Sequence, residues 1–280
     1  LQISMIVIAV ISAIFIVITT LKVKERPEFH LLDKPLKLKP AIKYTFTSRA
    51  FLILVAQNFM SILMQALILG AIFYVADYVL QMNAILLIAC LFVPLIAGVP
   101  TTTLIRRRLG VVGAQQLLLC IAGVALLLIV VVPTVLIPVC LAVAGFGLAG
   151  PQTLTNVLFA QVADEDELRS GVRSEGAFLG VNALLTKPAQ SLALALSPFI
   201  LELTRFVTRE ANQGQIILDQ PDSAILGIKV LVGLIPGVAM LLGAVILIWF
   251  PLRGEYLGRM QADVLALHAR KRRELEERRE

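Results

Sequence analysis

Uncharged apolar runs alternate with short charged segments along most of the chain. Four runs carry no charged residue, at 1–21, 50–76, 78–105 and 109–163. A membrane-crossing helix needs about 20 apolar residues. The last run is too long for one crossing, and Pro133 divides it. Two further apolar stretches, near 177–201 and 223–252, contain one lysine each. The pattern therefore predicts seven helical spans, at about 1–21, 50–76, 83–105, 111–132, 134–162, 174–201 and 223–250. The predicted fold class is an all-α polytopic membrane protein.

Composition agrees: 58% of residues are hydrophobic and 16% charged, far from a soluble domain. The net charge of +6 does not indicate nucleic acid, because the basic residues follow the spans. All but four of the 25 Lys and Arg fall at 22–49, 106–108, 169–173 and 253–279. With seven spans, those four regions share one side. The positive-inside rule makes that side cytoplasmic. The expected location is the cell membrane, with Glu280 inside. The chain opens at Leu1 within an apolar run that has neither a basic flank nor a small-residue cleavage site, unlike a signal peptide. That opening predicts the C-terminal part of a longer protein.

Polar residues inside the spans mark candidate chemistry. In the second span Gln57, Asn58, Ser61 and Gln65 share one helical face. Such a face either lines a cavity or bonds a neighbouring helix. In the fifth span Gly145, Gly147, Gly150 and Pro151 precede Gln152, Thr153, Thr155 and Asn156. The cluster allows either close helix approach or a break in mid-membrane. In the sixth span Asn182, Thr186, Lys187, Gln190, Ser191 and Ser197 occupy one half of the helix. A charge at that depth costs at least ~2.5 kcal/mol, so Lys187 is a functional-site candidate. Its distance from both span ends argues against snorkelling and predicts an inward, water-accessible position. Lys229 lies nearer an end, where snorkelling explains it.

The spans are joined by charged segments. Asp164, Glu165, Asp166 and Glu167, with Arg169 and Arg173, read as a charged turn at the membrane edge. Arg173 could pair with Asp164 or Glu167 in one conformation and release it in another. Arg106, Arg107 and Arg108 before Gly110 suit a tight hairpin and could meet acidic groups on the same face. Pro27, Pro35 and Pro40 break the basic connector 22–49. Leu257, Met260, Val264 and Leu267 recur at helical spacing in the charged tail. The sequence carries no zinc-protease, nucleophile-elbow or phosphate-loop motif. Cys90, Cys120 and Cys140 have neither metal-ligand nor disulfide spacing. An enzyme with its whole site on this chain is not expected, nor are a metal and a cofactor.

The run Asp164-Glu165-Asp166-Glu167-Leu168, then Gly171, Arg173 and Glu175-Gly176, with Lys187 in the following helix, resembles the glycoside–pentoside–hexuronide:cation symporters of the major facilitator superfamily. Arg106–Gly110 resembles that family's basic turn after span eight, and Phe250-Pro251-Leu252 its exit from span twelve. The resemblance implies spans six to twelve of a twelve-span fold. Residues 1–21 would be the last helix of an N-terminal bundle, 22–49 the cytoplasmic linker, 50–252 the C-terminal six-helix bundle and 253–280 a cytoplasmic tail helix. It implies alternating access and symport of a sugar or glycoside with Na⁺ or H⁺. The expected partners are a small-molecule solute, the lipid bilayer and a missing N-terminal bundle that holds most of the family's cation and sugar contacts. Lys187, Asn182, Gln190, Gln57, Gln65 and Asn156 become pathway candidates. Asp164, Glu167, Arg173, Glu175 and Arg107 become candidates for a cytoplasmic gate. Gln161 stands where some sugar symporters have an aspartate. Related lipid transporters share the turn and the lysine, so a lysolipid-type transporter is the alternative within the class. A non-transporting scaffold or receptor is the alternative outside it.

Overall fold

The computed structural model describes residues 2–22, 46–171, 175–207 and 219–277, and no strand occurs among them. The chain forms two compact units, Leu1–Pro35 with Leu265–Glu280, and Leu36–Val264. In the first unit, helix α1 (Gln2–Lys22) is apolar on every side. None of its span is buried within the protein, as suits a helix whose solvent is lipid.

The second unit begins with α2 (Arg49–Tyr74), capped by the Ser48 hydroxyl, which accepts from the Phe51 amide at 3.2 Å. It continues as a π-helical turn, Val75–Leu80, and stops at Gln81, whose φ is 49°. The span thus ends four residues later than its apolar pattern predicts. Helix α3 (Ala84–Val131) starts at Asn83, whose side chain accepts from the Ile85 amide. Its 48 residues would extend about 72 Å at 1.5 Å each, more than twice a ~30 Å hydrocarbon core. It is not straight: Gly110, with φ 74° and ψ 174°, interrupts the helix. An L side chain is strained at that φ, so the hairpin falls on the glycine. Arg106–Arg108 close the first arm, where cations suit the helix dipole. The predicted third and fourth spans are these two arms. With the other five helices long and apolar enough to cross a membrane, they make the seven predicted crossings.

Helix α4 (Ile137–Ser170), led by a short 3₁₀ turn at Thr134–Leu136, decides between the two readings of its glycine cluster and differs from expectation at its acidic end. The helix is not broken at the glycine cluster and runs on through Pro151. The glycines instead admit the neighbouring helix. A Cβ on Gly145 would lie 2.0 Å from the Leu91 carbonyl oxygen, and one on Gly147 2.6 Å from the Ala122 nitrogen. Nor is the acidic run a turn. Asp164–Glu167 form the last turns of α4, and the chain reverses only at Gly171, with φ 76°. No glycine or proline stands between Pro151 and Gly171, so the backbone has no reason to leave the helix earlier.

Helix α5 spans Glu175–Leu203. The final span is assembled from α6 (Asp222–Lys229), a π turn (Val230–Leu234), α7 (Ile235–Ile246) and a 3₁₀ turn (Leu247–Trp249). Pro236 sits in the first turn of α7, directly after the π turn. Helix α4 packs along α3, and α2 packs against both α5 and α7. Nearly all buried apolar residues join one core. Helix α8 (Gly254–Glu277) sets Leu257 and Met260 against it, with Val264 buried beside them.

Candidate functional site

Three groups of polar side chains occupy the Leu36–Val264 unit. The first is wholly buried. Gln57 of α2 and Gln115 of α3 are both 0% exposed. Gln57 Nε2 donates to Ser61 Oγ at 2.8 Å, and Gln115 Nε2 donates to Thr155 Oγ1 of α4 at 3.0 Å. Next in sequence, Gln116 Nε2 donates to the Ala244 carbonyl of α7 at 3.0 Å. Gln115 Nε2 also reaches Gln57 Oε1 at 3.5 Å, so two successive glutamines tie the second arm of α3 to α2, α4 and α7. Interhelical bonds of this kind are worth ~0.6 kcal/mol on average in membrane proteins, up to ~1.7. Of the two options for the polar face of α2, Gln57 takes helix bonding.

The second group is accessible. Asn58 of α2 donates through Nδ2 to Asn182 Oδ1 of α5 at 3.0 Å, and both are half-buried. Gln152 Nε2 of α4 donates to Gln65 Oε1 of α2 at 3.1 Å. Beside that pair is a cavity of about 100 Å³ lined by Met64, Ile68, Leu91 and Leu148. Asn156, one turn beyond Gln152, is exposed. On α5 the stripe Phe178, Val181, Ala189 and Ala193 is buried. Lys187 lies on the opposite side, exposed, and its Nζ donates to Gln190 Oε1 at 3.3 Å. Lys187 therefore points away from this bundle's core and not into it, because the apolar stripe occupies the core side. The accessible set is neutral amides plus one ammonium. It offers donors and acceptors to hydroxyl groups and has no nucleophile–base pair.

The third group is the acidic end of α4. Glu165, Asp166 and Glu167 are 5%, 4% and 0% exposed, and Asp164 is half-buried. Glu165 Oε1 accepts from Arg169 Nη2 at 2.7 Å and from the Tyr256 hydroxyl of α8 at 3.0 Å. Arg107 is exposed and has no ion pair among the described residues. Glu175 opens α5, and Arg173 lies outside the described residues. The structure thus adds Tyr256 to the gate candidates. Sequence reasoning missed it because only the fold carries α8 back to the acidic end. The apolar stripe Leu257, Met260 and Val264 was the available signal that this end of α8 docks.

Of the pathway candidates, Asn182, Gln65, Asn156, Lys187 and Gln190 are half-buried or exposed, and Gln57 is sealed in the core. Among the described residues no three His, Cys, Asp or Glu are grouped so as to hold a metal ion.

Similarity to known proteins follows the same architecture. Residues 1–254 match the model of the MFS/sugar transport protein family. An uncharacterized symporter of Synechocystis sp. (strain ATCC 27184 / PCC 6803 / Kazusa) is 34% identical over 109 residues, which are 39% of this chain and 20% of that protein. The chain therefore covers well under two thirds of the length of the curated relative it matches. The match over nearly the whole chain, on a bundle of apolar helices with polar side chains set between them, places it: the chain belongs to the MFS/sugar transport protein family.

Proposed function

We propose that the chain is part of a secondary active transporter that moves a sugar or glycoside by alternating access, coupled to Na⁺ or H⁺. It acts in the cell membrane, with the C-terminus in the cytoplasm, and without an enzymatic step or a bound cofactor. The observation that carries this reading is Lys187. It stands about three turns into α5 on a face that nothing in its own unit covers. Facing lipid there would cost at least ~2.5 kcal/mol. That face is better accounted for if it meets water or another polar surface, as it would on a pathway between two bundles. Gln190, Asn182 and the Gln65–Gln152 pair then supply neutral hydrogen bonds to solute hydroxyls. Lys187 offers a donor or a counter-charge to carboxylates contributed from outside this unit.

The acidic end of α4 serves as a gate in this reading. Asp164, Glu167, Arg173, Glu175 and Arg107 would exchange partners as the pathway opens and closes. A pair made at the surface, where Arg107 is exposed, is worth only ~0–1 kcal/mol, whereas the buried Glu167 is costly to leave without a partner, so the gate depends on several groups changing together.

The test is sugar uptake by the complete protein reconstituted in liposomes, driven in turn by a Na⁺ gradient and a pH gradient. One gradient is expected to drive accumulation. Lys187→Ala is expected to lower uptake at least about tenfold, equivalent to ~1.4 kcal/mol. Full uptake by Lys187→Ala would end the role given to the lysine. Failure of both gradients to drive any sugar would overturn the symport reading.

A further inference from the structure

A second cleft lies at the other end of α2 and α5 from the acidic gate. It has a volume of about 510 Å³ and is lined by Gly70 and Tyr74 of α2, and by Ala193, Ser197, Glu202 and Phe206 in and just after α5. That volume is within the ~300–1,000 Å³ of small-molecule sites. None of these residues belongs to the pathway or gate sets above.

Two features mark this cleft as built. The first is its rim. Helix α5 ends where Arg205 takes a left-handed backbone, φ 61°, which brings the Phe206 amide onto the Leu201 carbonyl at 2.9 Å. The Phe206 ring then stands edge-on to Tyr74, with centroids 5.5 Å apart, and to Tyr78 at 5.0 Å. The next residue is held from both sides: Val207 N–H donates to Gln220 Oε1 at 2.9 Å, and Gln220 Nε2 donates to Val207 O at 3.1 Å. Ser223 Oγ donates to the Thr204 carbonyl at 2.9 Å. The aromatic wall is thus fixed in place before any ligand arrives.

The second feature is Gly70. Glycine within a helix costs ~0.5–1 kcal/mol relative to alanine. Packing does not require it here: a Cβ on Gly70 would meet nothing within 4 Å. The missing side chain leaves room in the cleft instead. Glu202 at the rim is exposed and has no ion pair among the described residues. Ser197 Oγ donates to the Ala193 carbonyl at 3.1 Å, which leaves its lone pairs free to accept.

We propose that this cleft is a second binding site for a neutral sugar ring, formed by residues other than Lys187 and the amides around it. The apolar C–H face of the ring lies on Tyr74 and Phe206 over the space left by Gly70, and its hydroxyls donate to Glu202 and Ser197. The choice of a sugar rests on the transport reading above; an aromatic wall with one carboxylate would otherwise also suit an organic cation.

The test is a thiol placed at the cleft wall by Leu194→Cys in the complete protein, which leaves the space at Gly70 open. Labelling by a water-soluble maleimide is followed after solubilisation, with wild type as the control for Cys90, Cys120 and Cys140. D-glucose or D-galactose is expected to slow labelling at least about threefold, as mass action requires once two thirds of the sites are filled. Adding Glu202→Gln is expected to remove most of that protection. Undiminished protection in the double variant would overturn the site, because the effect would then come from elsewhere in the protein. Protection by choline but not by either sugar would overturn the ligand class. No protection by either sugar, in a protein that still takes up sugar, would overturn the site and leave the transport reading standing. Absence of both protection and uptake would count against both.

Discussion

Lys187 shows what one residue can disclose and what it cannot. Its cost in lipid singled it out from the sequence, but its direction depends on which face of α5 the core takes. Phe178, Val181, Ala189 and Ala193 take that face, and Lys187 is left outside with Gln190. A lysine that supplies charge alone would tolerate Lys187→Arg, whereas a lysine spaced to one partner would not, because guanidinium and ammonium differ in shape and donor geometry. Lys187→Arg is expected to retain less than about a third of wild-type uptake, measured beside Lys187→Ala; full activity would reduce the role to charge alone. Gln57 shows the opposite case. The spacing of Gln57, Asn58, Ser61 and Gln65 was legible, but their division between core and cavity was not, since it depends on where Gln115 and Thr155 arrive from other helices. Gln57→Leu removes the bond to Ser61 and the contact with Gln115 of α3 and is expected to cost about 0.5–2 kcal/mol of stability. Thermal unfolding in detergent measures it, and an unchanged midpoint would show that the buried network contributes nothing.

Among the elements, two glycines of similar sequence context separate cleanly. Gly145 of α4 touches the Leu91 backbone, which has no flexible end to move aside, and Gly70 of α2 faces open space. Gly145→Ala is expected to destabilise by at least ~1–3 kcal/mol through overpacking. Gly70→Ala is expected to leave stability unchanged or raise it by up to ~1 kcal/mol. Unfolding of the two variants side by side checks both; equal effects would contradict the packing described here. The acidic end of α4 depends on a neighbouring element in the same way. Charge density made 164–167 read as a turn, but it is helix until Gly171, and α8 reaches it through Tyr256. Tyr256→Phe deletes that hydroxyl and is expected to cost about 0.5–1.5 kcal/mol. An unchanged unfolding midpoint would show the contact to be incidental.

At the scale of the molecule, the pattern of apolar runs and basic loops was enough for the helical class, the seven crossings and the turn at Gly110, because bilayer thickness and backbone satisfaction leave few other solutions. Side-chain pairing between helices was not legible, since helix faces are chosen by partners far away in sequence. The family match gives this bundle a context in which an exposed polar face is expected to be useful. The most direct measurement of the account is gradient-driven sugar uptake by the complete protein in liposomes, with wild type and Lys187→Ala compared at equal protein. Wild type is expected to accumulate sugar under a Na⁺ or a proton gradient, with at least about a tenfold loss in the variant. Equal uptake by the two, or no gradient-dependent uptake by wild type, would contradict it.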